Sequence, residues 1–507
     1  MKICRDMKKS KELEKEYEEL KRKIRLYNEK CDFALVDKAW EFAKLAHHDQ
    51  KRKSGDPFIA HPLATSLTLA DWKMDTSSIV AGLLHDAVEW GGATNEDIEK
   101  EFNKEVANLV EGVTQVSYAK LKGTRKEWFV ENLRKMFLAM AKDIRVVVIK
   151  LAERLDNMRT LSFLSKARQK RMARETLEVF APLADRLAMG EVKSQLEDLA
   201  FEYVFPREYE KVKKQVTVQY KKAEKDIKKM RQTILKQLAK EGVKANIQAR
   251  KKHLYSLWRK LERPEKQWNF DKIHDIIALR ILVDNTTQCY TALGTVHSFY
   301  KPAPSIGVRD YIAQPKPNGY RSIHTNIIGP NKGIAEVQIR THAMHEENEF
   351  GVAAHWHLSL LKSKGKLTSK QVDEGRFGVE KSKLKWVKEL AKWQKEIVDS
   401  EEFFKAVRFD ALSERIYVFS PKGDVYDLPL NATPVDFAYA VHTGLGNYIQ
   451  RAKVNGKLVA LKKKLRSGDV VEIIKSKNVK KPSHSWIDFV VTTTAKRKIK
   501  TQLRLTD

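Results

Sequence analysis

At 507 residues the chain is too long for one hydrophobic core, so three or four units of about 100–200 residues are expected. Lys and Arg number 96 against 66 Asp and Glu, a formal surplus of 30 positive charges; such a field draws nucleotides, RNA, the ribosome or an anionic membrane without choosing among them, and a Lys-rich coat of solvated faces is its plainest source. No apolar run approaches the roughly 18–20 residues of a membrane helix, "MKICRDMKKS" lacks the apolar segment of a secretory signal, and Cys4, Cys31 and Cys289 are too few and too scattered for a disulfide framework or a zinc site, which fits a reducing cytoplasm.

In chain order, residues 1–31 read as a charged, solvated helix with i,i+4 Glu–Lys pairs. Residues 32–202 are helical throughout: apolar residues recur at three- and four-residue spacings in "LVDKAWEFAKLAHHD", "TSSIVAGLLHDAVEW" and "RETLEVFAPLADRLAM", separated by turn signals such as Ser54-Gly55-Asp56-Pro57. Residues 203–361 open with a very basic helix and then change period. "DIIALRILVD" and "GIAEVQIRT" read as strands, which predicts an α/β unit. Residues 362–411 read as a linker and a Trp- and Lys-bearing helix. Residues 412–476 form a small β-rich unit that starts with the hairpin "RIYVFSPKGDVYDLP", and 477–507 are a C-terminal extension.

Two constellations carry chemistry. In the helical unit, "FIAHPLA" supplies His61, "GLLHDAVEW" places His85 beside Asp86 within an apolar helical run, and "KLAERLDNMRT" supplies Glu153 and Asp156. Imidazole and carboxylate ligands from separate helices suit a divalent metal, which offsets their desolvation cost and lowers the pKa of a bound water. The plainer reading is satisfied helix-end or surface histidines. In the α/β unit, "ARKKHLYSLWRK" (249–260) reads as a helix bearing Arg250, Lys252, Arg259 and Lys260, a geometry that suits oligophosphate. Asp275 heads a strand, "PKPNGYRSIHT" places Lys316, Asn318, Tyr320 and His324 on a turn, and Glu336, Gln338 and Arg340 alternate along one strand face, otherwise read as an exposed sheet face. Two carboxylates among many cations fit metal-assisted phosphoryl chemistry, and with no GxxxxGK[ST] loop the nucleotide site must be built from side chains.

The stretches "RKSGDPFIAHPLA", "GLLHDAVE" and "DIRVVVIKLAERLDNMRT" resemble the HD hydrolase domain of the RelA/SpoT homologues, long enzymes that make and degrade the alarmone (p)ppGpp. "KHLYSLWRK", "IHDIIALRI", "NGYRSIHT", "EVQIRT" and "MHEENEFGVAAHW" resemble the same family's nucleotidyltransferase-like synthetase domain. Residues 412–476 look like its β-grasp TGS domain. The resemblance implies a manganese site of His61, His85, Asp86 and Glu153, the last standing where the family pattern "KLADRLHNMRT" has Asp. It implies that Glu89 acts on the attacking water and that Arg52, Asn157 and Thr160 contact the nucleotide. Where the family reads "HDVVEDT" this chain reads "HDAVEWG", so Trp90 replaces the second acid of that pair, and hydrolysis is left open between kept and lost.

For the synthetase the resemblance implies magnesium on Asp275 and Glu336, with Glu336 also the base toward the acceptor 3′-hydroxyl. Tyr320 stacks on guanine beside Asn318, Arg250, Lys252 and Lys260 hold ATP phosphates, and Lys316 and His324 meet the acceptor phosphates. The reaction implied is transfer of pyrophosphate from ATP to the 3′-oxygen of GDP or GTP. Arg321 stands where the family has Gln, and "SIGVRDYI" keeps a basic residue at Arg309, as in bifunctional members. The TGS resemblance implies contact with tRNA on the ribosome through His442. Two rivals remain: a metal-dependent nucleotide phosphohydrolase whose second domain binds effectors, and a non-enzymatic basic RNA- or ribosome-binding protein.

Overall fold

The computed structural model describes residues 2–115, 124–264, 266–270, 273, 276–304, 307–316, 318–331, 333–354, 399–407, 412–413, 415–476 and 482–504. They belong to two compact units, one of residues 1–122 with 135–384, the other of 123–134 with 385–507. The expected linker and Trp-bearing helix lie mostly outside the described residues, as does Asp275.

The first unit opens with helices α1 (Lys2–Tyr27), α2 (Phe33–Ala46), α3 (Ala60–Asp71), α4 (Thr76–Leu84), α5 (Asn95–Glu101) and α6 (Lys104–Val113). Helix α7 (Arg125–Lys142) is divided between the two units at residue 134, and the first unit continues through α8 (Arg145–Arg159), α9 (Lys166–Glu175), α10 (Ala181–Arg186) and α11 (Gly190–Val204). Their starts follow local chemistry: Asp32, Asp75, Thr94 and Asn103 each accept a backbone N–H from the first turn, which satisfies a donor the helix leaves orphaned. The centre is α8, where Val147, Val148, Ile149, Leu151 and Ala152 are all 0% exposed, so the helix is enclosed on nearly every side. The packing of α3 on α4 is tight at Gly82: a Cβ there would lie 2.7 Å from Leu69 Cδ1 and 2.8 Å from Ser66 Oγ, so a larger residue would have to displace both side chains.

Helix α12 (Pro206–Lys240) follows, with proline at its start, where its missing N–H costs nothing. Its first half buries Val212 and Val216 against Phe201 and Trp258; its second half buries Ile227, Met230, Ile234 and Leu238 and exposes lysines on the other side. The stripe packs on a five-stranded mixed sheet of β1 (Asn246–Lys251), β2 (Ile277–Val283), β3 (Arg309–Asp310), β4 (Ile323–Ile328) and β5 (Ile334–Thr341), in the order β1-β2-β5-β4-β3. Only β2 and β5 run parallel, and α14 (Thr286–Phe299) packs on their inner face. The expected strands are present as β2 and β5, each buried along nearly its whole length.

The basic segment 249–260 is not one helix. Its first residues complete β1, paired with β2 as Ala249↔Leu279 and Arg250↔Ala278, and helix α13 (Leu254–Leu261) starts only after His253 in an extended conformation. Tertiary pairing with a buried strand overrides the local helical pattern. Helix α15 (His342–Phe350) closes the described part of this unit, capped by Thr341. The helical and sheet layers meet at α11, where Asp198 accepts hydrogen bonds from Tyr255 N at 2.9 Å and His253 Nδ1 at 3.0 Å.

In the second unit, α16 (Ser400–Ala406) precedes the hairpin β6 (Arg415–Phe419)–β7 (Val425–Pro429), then α17 (Pro434–Val441) and α18 (Thr443–Asn447). A three-stranded sheet of β8 (Ile449–Val454), β9 (Lys457–Val459) and β10 (Val471–Lys475) follows, with α19 (Trp486–Phe489) and α20 (Thr493–Leu503) last. Ala495 and Ile499 of α20 share a core with Val435 and Tyr439 of α17, so the C-terminal segment packs as part of this fold. Among the described residues no helix is long and apolar enough to cross a membrane.

Candidate active sites

In the helical layer, His61 comes from the first turn of α3, and His85 caps α4. The His85–Asp86 pair was expected within a helix; it lies just beyond one, since α4 ends at Leu84 and turns carry the chain through Trp90. Leaving the helix there frees both side chains to turn inward. His61, His85 and Asp86 each offer a ligand atom, all within 4.8 Å of one another, and all three residues are buried. His85 Nδ1 lies 2.8 Å from the Gly82 carbonyl, which only accepts, so Nδ1 carries the proton and Nε2 faces the cluster. That Nε2 is 3.4 Å from His61 Nε2 and 3.4 Å from Asp86 Oδ2. Two converging imidazole lone pairs and a carboxylate in a buried pocket form a donor set that fits a divalent cation, with backbone anchoring of the kind that orients metal-binding histidines.

Glu153 lies outside that three-residue group. Its Oε2 is 2.7 Å from Lys150 Nζ, and Asn157 Nδ2 donates to Oε1 at 3.3 Å. Against its burial, Lys150 first, then His85 and His61, hold its carboxyl down at about 2. Glu89 is moved the other way: burial, opposed by Lys150 and aided by Asp86 and Glu153, pushes it up to about 7, and its Oε2 accepts the Gln115 N–H at 3.3 Å. Arg52 and Thr160 meet, with Nη2 2.9 Å from Oγ1. Trp90 is 59% exposed, and its carbonyl accepts from Gln50 Nε2 at 2.6 Å.

On the sheet, Val337 and Ile339 point into the core as the strand period requires. The opposite face, for which an exposed sheet face was the plainer reading, is also covered: Glu336 is 7%, Gln338 6% and Arg340 1% exposed. Glu336 is the hub. Its Oε1 accepts from His324 Nδ1 at 3.0 Å and Arg309 Nη2 at 3.2 Å, and its Oε2 accepts from Gln338 Nε2 at 3.0 Å. His324, expected on a turn, is on β4, opposite Gln338 in the register. Burial first, with Arg309 and Lys316 adding, pushes its imidazole pKa down despite Glu336, so the ring is neutral at pH 7. With Nδ1 donating to Glu336, Nε2 accepts from the Tyr320 hydroxyl at 2.7 Å.

The loop before β4 is shaped by Gly319, whose φ of 83° is a left-handed conformation suited to glycine. Its N–H reaches the Lys316 carbonyl at 2.7 Å, and Lys316 Nζ stands 4.7 Å from the Tyr311 ring centroid and 4.9 Å from that of Tyr320. Asn318 Oδ1 accepts the Tyr320 N–H at 3.2 Å. Arg250 sits on β1, Lys252 in the turn after it and Lys260 on α13, so three elements rather than one contribute the expected cations.

Sequence reasoning missed a second hub. Glu349 of α15 takes Arg340 Nη2 at 2.7 Å and Arg280 Nη2 at 3.0 Å. Against its burial, His345, Arg280 and Arg340 hold its carboxyl well below the usual range. The signal was Arg280, a lone charge within the apolar run "IALRILV". In the second unit, His442 lines a cleft of about 610 Å³ with Lys422, Tyr426, Tyr448 and Lys475.

A buried imidazole–carboxylate cluster in a helical domain, followed by a mixed sheet centred on a carboxylate among cations and then a small β unit, makes a multidomain protein with two candidate sites. Family comparisons agree: an HD domain matches residues 39–190, the region found in RelA/SpoT proteins matches 249–360, and a TGS domain matches 416–475. These are the three regions that the resemblance to the RelA/SpoT homologues implies, in the same order. It is 43% identical to a GTP pyrophosphokinase of Myxococcus xanthus over 94% of this chain and 61% of that protein. It is 42% identical to the guanosine-3′,5′-bis(diphosphate) 3′-pyrophosphohydrolase of Aquifex aeolicus over 92% of this chain and 64% of that one. With the bifunctional (p)ppGpp synthase/hydrolase RelA of Mycobacterium tuberculosis the identity is 44%, over 93% and 62%. The chain thus spans about three-fifths of the length of these curated relatives.

Proposed function

We propose that this chain is a cytoplasmic (p)ppGpp synthetase that also carries a hydrolase site for the same nucleotide, in the hydrolase (32–202), synthetase (203–361) and TGS (412–476) order. The observation that carries the synthetase reading is Glu336: a buried carboxylate held by a neutral histidine and an arginine, with a tyrosine hydroxyl one hydrogen bond further on. The reaction breaks the α,β-phosphoanhydride bond of ATP, joins the β-phosphorus to the 3′-oxygen of GDP or GTP, and releases AMP. Glu336 takes the 3′-hydroxyl proton, Tyr320 supplies a face for guanine, and Lys316 and His324 meet the acceptor's phosphates. Arg250, Lys252 and Lys260 hold the ATP phosphates. Magnesium on Asp275 and Glu336 supplies charge neutralisation. Asp275 lies outside the described residues, so the reading leans on Glu336. Positioning and charge compensation are what such a transfer needs most.

In the helical domain, His61, His85 and Asp86 hold a divalent cation, manganese in our reading, which supplies Lewis-acid activation of water. Glu89, poised near 7, manages the proton of the attacking water, and Arg52, Asn157 and Thr160 contact the nucleotide. Glu153 is the fourth ligand by position. The cleft at His442 is the surface for a tRNA end on the ribosome.

The experiment uses purified protein in two assays. Incubation with ATP and GDP or GTP plus magnesium yields ppGpp or pppGpp and AMP, and Glu336→Gln does not. Incubation of ppGpp with manganese and no ATP releases pyrophosphate, and Asp86→Ala does not. No product in the first assay would sink the synthetase reading. Synthesis without release in the second would mean that Glu153 and Trp90 silence the HD site.

A further inference from the structure

We propose that Asp156 is the positioning residue of the HD site: it fixes the ring of His61 so that Nε2 faces the metal, and it ties that ligand to Arg52. The inference rests on the metal reading of His61, His85 and Asp86 given above, and it assigns a task to a residue that reading leaves idle.

Asp156 is 6% exposed and lies one turn beyond Glu153 on α8. Its Oδ2 is 2.5 Å from His61 Nδ1 and 3.0 Å from Arg52 Nη1. Arg52 Nη2 reaches Thr160 Oγ1 at 2.9 Å, and that hydroxyl donates to the Asp156 carbonyl at 3.0 Å. An ionised carboxylate only accepts, so His61 Nδ1 must carry the hydrogen. Nε2 then keeps its lone pair and faces His85 Nε2 at 3.4 Å and Asp86 Oδ2 at 3.8 Å. The other imidazole, His85, is fixed by a backbone carbonyl that no side-chain change removes. His61 is oriented by a side chain instead, and that side chain also holds the guanidinium expected to meet the nucleotide. Metal and substrate recognition therefore share one buried carboxylate. Where "KLADRLHNMRT" places an imidazole, this chain places an acceptor-only group able to serve two donors at once.

The test uses the full chain and Mn2+ as probe, with wild type, Asp156→Asn and His85→Ala. An asparagine has one carbonyl oxygen for two donors, and its amide can turn toward Nδ1 and favour the wrong tautomer. Free Mn2+ followed by electron paramagnetic resonance should show binding about 10–100-fold weaker in Asp156→Asn. In the ppGpp hydrolysis assay the Mn2+ concentration for half-maximal rate should rise by the same factor, and at saturating Mn2+ the remaining defect should lie in the KM for ppGpp, because Arg52 has lost its anchor, a split that general loosening of the fold would not produce. In metal-free wild type, two-bond couplings to 15N-labelled histidine should show His61, assigned with His61→Gln, as the Nδ1–H tautomer. An Nε2–H tautomer in wild type, or equal Mn2+ affinity in Asp156→Asn, overturns the proposal. Failure of wild type itself to bind Mn2+ more tightly than His85→Ala sinks the metal reading instead, and the tautomer still decides the Asp156 contact.

Discussion

Lys150 and Glu153 form a buried ion pair on one turn of α8, with 2.7 Å between Nζ and Oε2 and both side chains 9% exposed. The glutamate arm is one methylene longer than an aspartate's, and here it carries the carboxylate onto the lysine. The HD site thus has its three-residue cluster on one side of α8's buried stretch and a neutralised acid beside it.

Removing one partner of such a pair should be far costlier than removing both. Glu153→Ala, studied with chelator present, should lower the free energy of unfolding by about 3–5 kcal/mol, because Lys150 stays buried without its acid. Lys150→Met combined with Glu153→Leu should recover most of that loss. Urea unfolding of the three proteins checks this, and a near-neutral Glu153→Ala would mean that Lys150 finds compensation elsewhere.

Glu336→Gln keeps the shape of β5 but turns the hub into an amide that can no longer take a proton. Synthesis should fall by about 10²–10⁴-fold, the range for losing a general base, while the far-UV spectrum stays unchanged. His324→Phe should have a smaller effect on the rate and a larger one on the half-saturating acceptor concentration, since His324 both supports Glu336 and faces the acceptor. Steady-state kinetics with ATP saturating separates the two.

His253 sits between Asp198 Oδ2 at 3.0 Å and Glu191 Oε2 at 3.8 Å, where α11 meets the sheet domain. Burial opposes its charge, but the two carboxylates win and raise it from 6.5 to about 9. A raised folded-state pKa stabilises the protonated form, so the contribution is complete below pH 6.5 and is lost as pH rises through about 9. At about 1.4 kcal/mol per unit this is on the order of 3 kcal/mol. Stability measured across that window should decline in wild type and decline much less in Asp198→Asn; equal slopes would remove the seam as the cause.

Asp436 is 0% exposed and serves two ends of its domain. Oδ2 accepts from Thr433 N at 2.8 Å and Thr433 Oγ1 at 2.7 Å, a capping box on α17, while Oδ1 accepts from Val491 N at 3.0 Å and Thr492 N at 2.8 Å. Asp436→Ala leaves several buried donors without an acceptor, at about 1–3 kcal/mol each. We expect hydrogen exchange at residues 491 and 492 to rise to that of unfolded chain, together with α20. Protection that survives the substitution would mean that the apolar contacts of Ala495 and Ile499 suffice.

The helices and the two long strands were legible in the sequence because their burial patterns are local. Period-four apolar spacing and Asp, Thr or Asn caps announce α2, α4 and α6, and β-branched runs announce β2 and β5. So were the residue types of both sites, since His61, His85, Asp86 and Glu336 stand in recognisable strings. Distance in the chain hid the rest. Whether 249–260 would be strand or helix depended on a partner strand nearly thirty residues further on in the register Arg250↔Ala278. That Asp156 would face His61 and Arg52 followed from how α8 is rotated against α3 and the loop at Arg52, about a hundred residues away, whereas Glu153 and Lys150 are three residues apart on one helix. That Glu336 would be buried required Arg309 of β3 and His324 of β4 to close on it from neighbouring strands. The sequence by itself determined which elements form and which reactive groups are available. Only the tertiary structure decided which proton sits on which imidazole nitrogen and which carboxylates are buried, because those follow from hydrogen-bond geometry and desolvation between groups that no local pattern brings together.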